Sequence, residues 1–251
     1  MELGLKEKVV LITGGSKGIG LACARGFAAE GARVAIASRA QENLDVAEQA
    51  LAKAGFKVLT VRADLSQPND AQAAVRSTER ELGPIDVLVN SAGAAKRYAV
   101  DAYTAEAWHQ GMNSKFFPYM NAIDAVRAGM IERRRGAIVN IVGLGGKMAQ
   151  PMFLSGGAAN AALMLVTVGW AHALGRFGIR VNAINPSSTM TDRVNQAIQL
   201  DARAQGITEA EAIQRSEAKI PLGRYARPEE VAAVALFLAS EQASYVTGAI
   251  I

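Results

Sequence analysis

Along the chain, short uninterrupted runs of aliphatic and β-branched residues alternate with longer stretches in which apolar positions recur every three or four residues. A continuous apolar run suits a strand buried on both faces, and the longer period suits an amphipathic helix. The first run, Val9-Val10-Leu11-Ile12, leads directly into Thr13-Gly14-Gly15-Ser16-Lys17-Gly18-Ile19-Gly20, and an alanine-rich helical pattern covers 21–30. Further strands are predicted over 33–38, 56–61, 85–90, 137–142, 179–184 and 245–251, and helices over 41–54, 68–82, 104–131, 157–177 and 228–239. Gly55, Gly83-Pro84 and Gly178 punctuate the helix ends. Beyond Pro186 the rhythm changes to a polar, helix-forming insert over 191–219. Strands separated by helix-length segments imply parallel pairing through right-handed crossovers. The expected architecture is one α/β domain over 1–251, a doubly wound parallel sheet with helices on both faces and a crevice at the carboxyl ends of its strands.

The first strand-to-helix turn carries the earliest functional signal. Glycines let the backbone turn sharply, and the free N–H groups at a helix start favour a diphosphate. A dinucleotide site is the expectation; a glycine-rich turn that only packs the helix is the alternative. Half of the 251 residues are hydrophobic, no run approaches the length needed to span a bilayer, and residues 1–8 lack a signal-peptide pattern, so a cytoplasmic protein is expected. The lone Cys23 excludes an internal disulfide and a cysteine metal cluster, and His109 and His172 lie too far apart to form a metal site. With a net charge of +4, and Arg133-Arg134-Arg135 read as a solvated turn, neither nucleic acid nor membrane is an expected partner.

Several further stretches stand in a recognisable order: Thr13 to Gly20, Ala63-Asp64-Leu65, Asn90-Ser91-Ala92-Gly93, Ile220-Pro221-Leu222-Gly223-Arg224 with Pro228-Glu229-Glu230-Val231, and Val246-Thr247-Gly248. In these the chain resembles the short-chain dehydrogenase/reductases over nearly its whole length. The resemblance implies a Rossmann-type sheet holding a nicotinamide dinucleotide, with Gly14, Ser16, Lys17, Gly18, Ile19 and Gly20 forming the phosphate turn. It puts Asp64 and Leu65 at the edge of the adenine, Asn90, Ala92 and Gly93 along the ribose, and Pro186 and Thr191 near the carboxamide, with Ser187 where relatives have glycine. The second strand ends in Ser38-Arg39, without an acidic residue to accept free ribose hydroxyls. Arg39 and Lys17 suit a phosphate there, so NADP(H) is favoured over NAD(H); an ordinary surface arginine is the alternative. By likeness, a homodimer or homotetramer is expected, or a hetero-oligomer with an active homologue.

Relatives usually carry a Tyr, a Lys four residues later on the same helix face, and a Ser thirteen residues before the Tyr. The phenol exchanges the substrate proton, and the ammonium lowers its pKa from about 10 toward neutrality. Alignment on Asn160-Ala161-Ala162-Leu163 puts Gly143, Gly156 and Asn160 at the Ser, Tyr and Lys positions, while the fourth family position matches at Asn113. Few residues offer themselves as replacements. Ser155 reads as a helix N-cap before it reads as a proton donor, and Lys147, Lys96 and Arg97 read as solvated loop residues. Lys115 and Tyr119, four apart on one helix, read as an exposed or interface pair whose phenol the ammonium could tune. Loss of the Tyr and Lys side chains implies a widened cavity beside the nicotinamide, with the Gly156-Gly157 amides free to face an anion, unless Met148, Met152 or Phe153 fills it. Val194, Ile198, Leu200 and Ile213 in the insert suit a mobile lid over a moderately apolar pocket for an unknown small molecule. Three functions fit: an oxidoreductase with an unusual proton source, a silent nucleotide-binding sensor or partner subunit, or a non-redox isomerase or lyase in the same crevice.

Overall fold

A computed structural model describes residues 2–251. Six strands, β1 (Val9–Thr13), β2 (Arg33–Ser38), β3 (Val58–Arg62), β4 (Val87–Asn90), β5 (Gly136–Ile141) and β6 (Ile179–Ile184), form one sheet in the order β3-β2-β1-β4-β5-β6. All five pairings are parallel. Every residue of β1 is buried, as its uninterrupted apolar run requires. The strand order reverses between β1 and β4, where Thr13 and Asn90 are register partners. That reversal opens the crevice.

Among the described residues eight α-helices accompany the strands: α1 (Gly18–Ala29), α2 (Gln41–Lys53), α3 (Pro68–Leu82), α4 (Ala105–Arg133), α5 (Leu154–Gly175), α6 (Asp192–Gln205), α7 (Glu209–Glu217) and α8 (Pro228–Ala239). One core cluster packs α1, α2 and α8 on one face of the sheet, and the other packs α3, α4 and α5 on the opposite face. Pro68 and Pro228 start α3 and α8, where a missing N–H removes nothing. Within α4, Pro118 has no N–H to give the Ser114 carbonyl four residues back. A Cβ built on Gly93, in the loop after β4, would stand 2.3 Å from that carbonyl oxygen, so α4 and this loop touch at the one residue type that fits.

Four expectations are corrected. The segment 245–251 is no seventh strand: only Ile250 bridges to Ala183. The Asn182 amide grips Val246 O at 2.9 Å and Ala249 N at 3.0 Å, Val181 N donates to Thr247 Oγ1, and Gly248 turns at φ +76. Backbone bonds from Ala183 N to Ala249 O, Asn185 N to Ile251 O, Ile251 N to Ala183 O and Gly248 N to Val181 O still hold the segment beside β6, and the side-chain grips interrupt the regular ladder. Helix α5 begins at Leu154 rather than 157, and Ser155 is a buried residue inside it, not its N-cap. The Tyr103 hydroxyl accepts the Leu154 N–H at 2.6 Å, a cap from fifty-one residues away. One segment, Pro151–Gly175, is after all long and apolar enough to cross a membrane, with a mean hydropathy of 1.5; here it packs against α4 and β6. Arg133 is not simply solvated, since it donates to the Ile85 carbonyl at 2.8 Å.

The insert folds on itself. Ile198, Ala202 and Ala212 are buried with Val194 and Ile213 packed around them, whereas Leu200 is exposed. Thr208 and Glu211 form a capping box at the start of α7. At the base, Met190 N donates to Ala226 O and Ala226 N to Ser188 O, closing the insert with a short parallel clasp.

Candidate coenzyme-binding and active site

The turn after β1 is locked on three sides. A Cβ on Gly20 would lie 2.2 Å from Gly14 O, one on Gly14 2.8 Å from Ala92 Cα, and one on Gly15 2.6 Å from Ile36 Cγ2. Gly18, at φ +52, faces only the Thr191 methyl at 3.3 Å, so Thr191 stands across the crevice from the turn. Helix α1 has no side-chain cap and no acidic residue in its first turn, and Lys17 at its cap position is exposed. Its leading N–H groups and an adjacent ammonium suit a diphosphate. Ile19 is half-buried against the core.

At the end of β2, Ser16 Oγ donates to Ser38 Oγ at 3.0 Å, beside the exposed Arg39. Arg62, which sequence reasoning missed, joins them: it is the register partner of Ser38, and its Nε donates to the Arg39 carbonyl at 3.3 Å. Counting equal distances from the ends of β2 and β3 would have found it. These hydroxyls and guanidinium groups meet without a carboxylate on Ser38-Arg39-Ala40. The residues present therefore fit a phosphorylated dinucleotide. Asp64 Oδ1 accepts from the Ser66 amide and hydroxyl, while Leu65 is buried and its carbonyl accepts from Asn121.

The floor is a chain of buried amides. Thr13 Oγ1 donates to Asn90 Oδ1 at 3.3 Å, Asn90 Nδ2 to Asn140 Oδ1 at 3.0 Å, and Asn140 Nδ2 to Thr167 Oγ1 at 2.9 Å. Both ends of the Asn90 amide thereby have a protein partner. Thr13 Oγ1 also accepts the amides of Ser91 and Ala92, which fixes the loop leading to Gly93. Pro186 O accepts from Leu144 N, tying the segment after β6 to the one after β5.

The helix α5 side differs from expectation. A Cβ on Gly156 would meet Phe153 Cζ at 2.2 Å and Ala95 Cβ at 2.8 Å. No widened cavity exists beside Gly156, because the Phe153 ring fills it. One on Gly157 would meet the Gly145 carbonyl at 2.9 Å, so α5 packs there directly on the turn after β5. Gly143 has φ +122, a region that favours glycine over any side chain. Asn160 is buried, its Nδ2 donates to Gly143 O at 3.4 Å, and its Oδ1 has no partner. Ser155 Oγ is likewise buried without a partner. Open volume remains in a groove of about 220 Å³ between Gly146, Gln150 and Ala161.

Lys115 and Tyr119 are not exposed. Both are buried between α4 and the end of β5, with Lys115 Nζ donating to Tyr119 Oη at 2.9 Å and to Ile141 O at 3.2 Å, and Tyr119 Oη donating to Ile141 O at 2.5 Å. Burial, aided by the positive charge of Arg193 on α6, lowers the Lys115 amine from 10.5 to about 7. Burial pushes the Tyr119 phenol up, with Arg193 opposing. Asn113 lies on another face of α4 and is exposed; Lys147, Lys96 and Arg97 are exposed too. Cys23 is buried, its thiol pushed up to about 12, and no metal-holding cluster of His, Cys, Asp and Glu occurs among the described residues.

A family model described as enoyl-(acyl carrier protein) reductase matches residues 14–251. The chain is 36% identical over 246 residues to 2-(S)-hydroxypropyl-CoM dehydrogenase 3 of Xanthobacter autotrophicus, covering 98% of this chain and 94% of that one. It is 34% identical to the 3-oxoacyl-(acyl-carrier-protein) reductase FabG of Thermotoga maritima, covering 98% and 96%. Among solved structures, the L-sorbose reductase of Gluconobacter frateurii, complexed with NADPH and L-sorbose, superposes with a TM-score of 0.92 at 31% identity, covering 100% of this chain and 96% of that one. An actinorhodin polyketide ketoreductase with NADPH gives 0.92 at 31%, covering 97% and 94%. The doubly wound sheet, the glycine turn and these full-length likenesses agree: the chain belongs to the short-chain dehydrogenase/reductase family.

Proposed function

We propose that this protein binds NADP(H) across the carboxyl ends of β1, β2 and β4 and reduces a carbonyl or related polarised bond, using a proton source other than the phenol and amine its relatives place on α5. The observation that carries the reading is the corner where Ser16 and Ser38 share a hydrogen bond beside Arg39 and Arg62. It offers donors to a ribose phosphate and nothing that repels one. Gly14, Gly18, Ile19, Gly20 and Lys17 would hold the diphosphate, Asp64 and Leu65 the adenine, Ala92 and Gly93 the ribose, and Pro186 and Thr191 the carboxamide. When bound, the coenzyme supplies a hydride. The NADPH-bound relatives support the choice of coenzyme. At the positions that resemblance assigns to Ser, Tyr and Lys stand Gly143, Gly156 and Asn160, so the proton must come from elsewhere.

A second reading, a silent nucleotide-binding subunit beside an active homologue, is favoured by the Phe153 ring filling the space over Gly156. Exposed Phe117 on α4 and Leu165 on α5 support association through those two helices. Fluorescence titration with NADPH and NADH, followed by single-turnover oxidation of NADPH with a panel of carbonyl compounds, tests both readings. NADPH is expected to bind tighter by about tenfold or more, and its oxidation to depend on the carbonyl. Binding without turnover selects the silent subunit. If neither coenzyme binds, both readings fall.

A further inference from the structure

We propose that Lys115 holds the proton this site delivers, mounted by Tyr119 and the Ile141 carbonyl, and so takes over at the α4–β5 junction what Gly156 and Asn160 cannot supply on α5. The inference rests on the reductase reading above.

Position is the first support. The pair forms part of the crevice wall, with Lys115 still 8% exposed: a Cβ on Gly93 would stand 3.2 Å from Lys115 Cα, and Ile141 ends β5 two residues before Gly143. Two contacts register α4 against α5. Gly111 abuts Ser155, and Tyr119 clusters with Leu163 and Met164. Both helices advance eight residues between these contacts, which places Lys115, midway, level with Ala159 and Asn160.

The hydrogen-bond inventory is the second support. An ammonium has three donors, and Lys115 directs its bonds to Tyr119 Oη and Ile141 O. The phenol's own proton is committed to Ile141 O, so Tyr119 orients the amine and does not itself donate into the crevice. A third N–H is left over at the level where Asn160 Oδ1, a buried acceptor, has no donor. Unmatched polar groups at such depth are costly in a fold that does not use them.

Charge is the third. Arg193 is the charged group acting on the amine, and the buried polar side chains on the β4, β5 and α5 faces (Asn90, Asn140, Ser155, Asn160, Thr167) are not titratable. A lone buried amine beside a crevice, with no carboxylate to neutralise it, is poised to change protonation state. In the step itself, the carbonyl carbon has gained the hydride, and the substrate oxygen holds the resulting negative charge. An O–H bond then forms as one Nζ–H bond of Lys115 breaks, giving the alcohol and a neutral amine, which solvent water recharges.

The test follows Lys115 directly, by 13C NMR of protein labelled at lysine Cε, with and without NADPH, alongside the pH profile of carbonyl reduction. The Lys115 resonance should titrate near pH 7 and move when NADPH binds, and kcat should fall with the same midpoint as pH rises. Tyr119→Phe removes an acceptor from the ammonium and should lower the midpoint; Arg193→Gln removes a repelling charge and should raise it. Lys115→Met should reduce kcat by about 10²- to 10⁴-fold while leaving NADPH affinity unchanged. A Lys115 resonance that stays protonated above pH 9 or ignores NADPH overturns the proposal even in an active enzyme, as does a Lys115→Met protein with full kcat. Normal titration and NADPH binding without reduction of any carbonyl overturns the reductase reading instead, and the donation step with it.

Discussion

Replacing Lys115 with methionine should make the folded protein more stable at pH 7, and less so as pH rises. The amine falls from 10.5 to about 7 on folding, so between those pH values the unfolded chain holds the extra proton and stability rises with pH. At pH 7 the difference corresponds to about 4 kcal/mol against the native state, and at pH 9 to about 2 kcal/mol. Methionine has similar length and no charge; it forfeits two hydrogen bonds donated by Nζ, a loss of about 1–2 kcal/mol because Ile141 O still accepts from Tyr119. The net expectation at pH 7 is a gain of about 2–3 kcal/mol, shrinking by about 2 kcal/mol at pH 9. Urea denaturation of both proteins at the two pH values measures it. A gap that stays constant from pH 7 to pH 9, or a variant less stable at pH 7, refutes the claim that an uncompensated ammonium is buried there.

The remaining predictions concern the coenzyme corner and α5. Arg39→Asp should weaken NADPH binding by about tenfold to hundredfold and NADH binding far less; equal losses by fluorescence titration would remove Arg39 from the phosphate site. Gly156→Tyr should destabilise by about 1–3 kcal/mol, since its Cβ meets the Phe153 ring, and Phe153→Ala in the same chain should relieve it; thermal unfolding compares the two. Ser155→Ala should leave stability unchanged or raise it by about 1 kcal/mol, because the buried hydroxyl has no partner, whereas loss of a true N-cap would lower it. Glu230, bound by both Arg224 and the Arg227 amide, has its carboxyl held down to about 2 and should remain charged by NMR throughout mild acid.

Local signals were enough for much of this architecture. Residues 33–38, 68–82, 179–184 and 228–239 are read to the residue because their apolar runs or prolines act within a few positions. The failures are nonlocal. Nothing near Leu154 announces that Tyr103 will cap it, and nothing in 245–251 tells that the Asn182 amide and Thr247 hydroxyl will interleave with its backbone bonds to β6. The spacing of Lys115 and Tyr119 pairs them but does not say which way they face, because α4 carries large apolar residues around its circumference, from exposed Trp108 and Phe117 to buried Met130. Phe153 over Gly156 is a tertiary contact with no signature in sequence. The glycine turn after β1 is legible since glycine there answers a backbone demand, while the nearness of Arg62 to Ser38 becomes visible only through strand register.

The Thr13–Asn90–Asn140–Thr167 chain ties β1, β4, β5 and α5 together on protein partners alone. A dinucleotide arriving above it meets a floor already set, with little side-chain freedom to freeze out on association. Differences in affinity among variants of the crevice should therefore trace to hydrogen bonds and ion pairs at its rim, and cutting the chain at Asn140 should loosen coenzymes of both kinds alike.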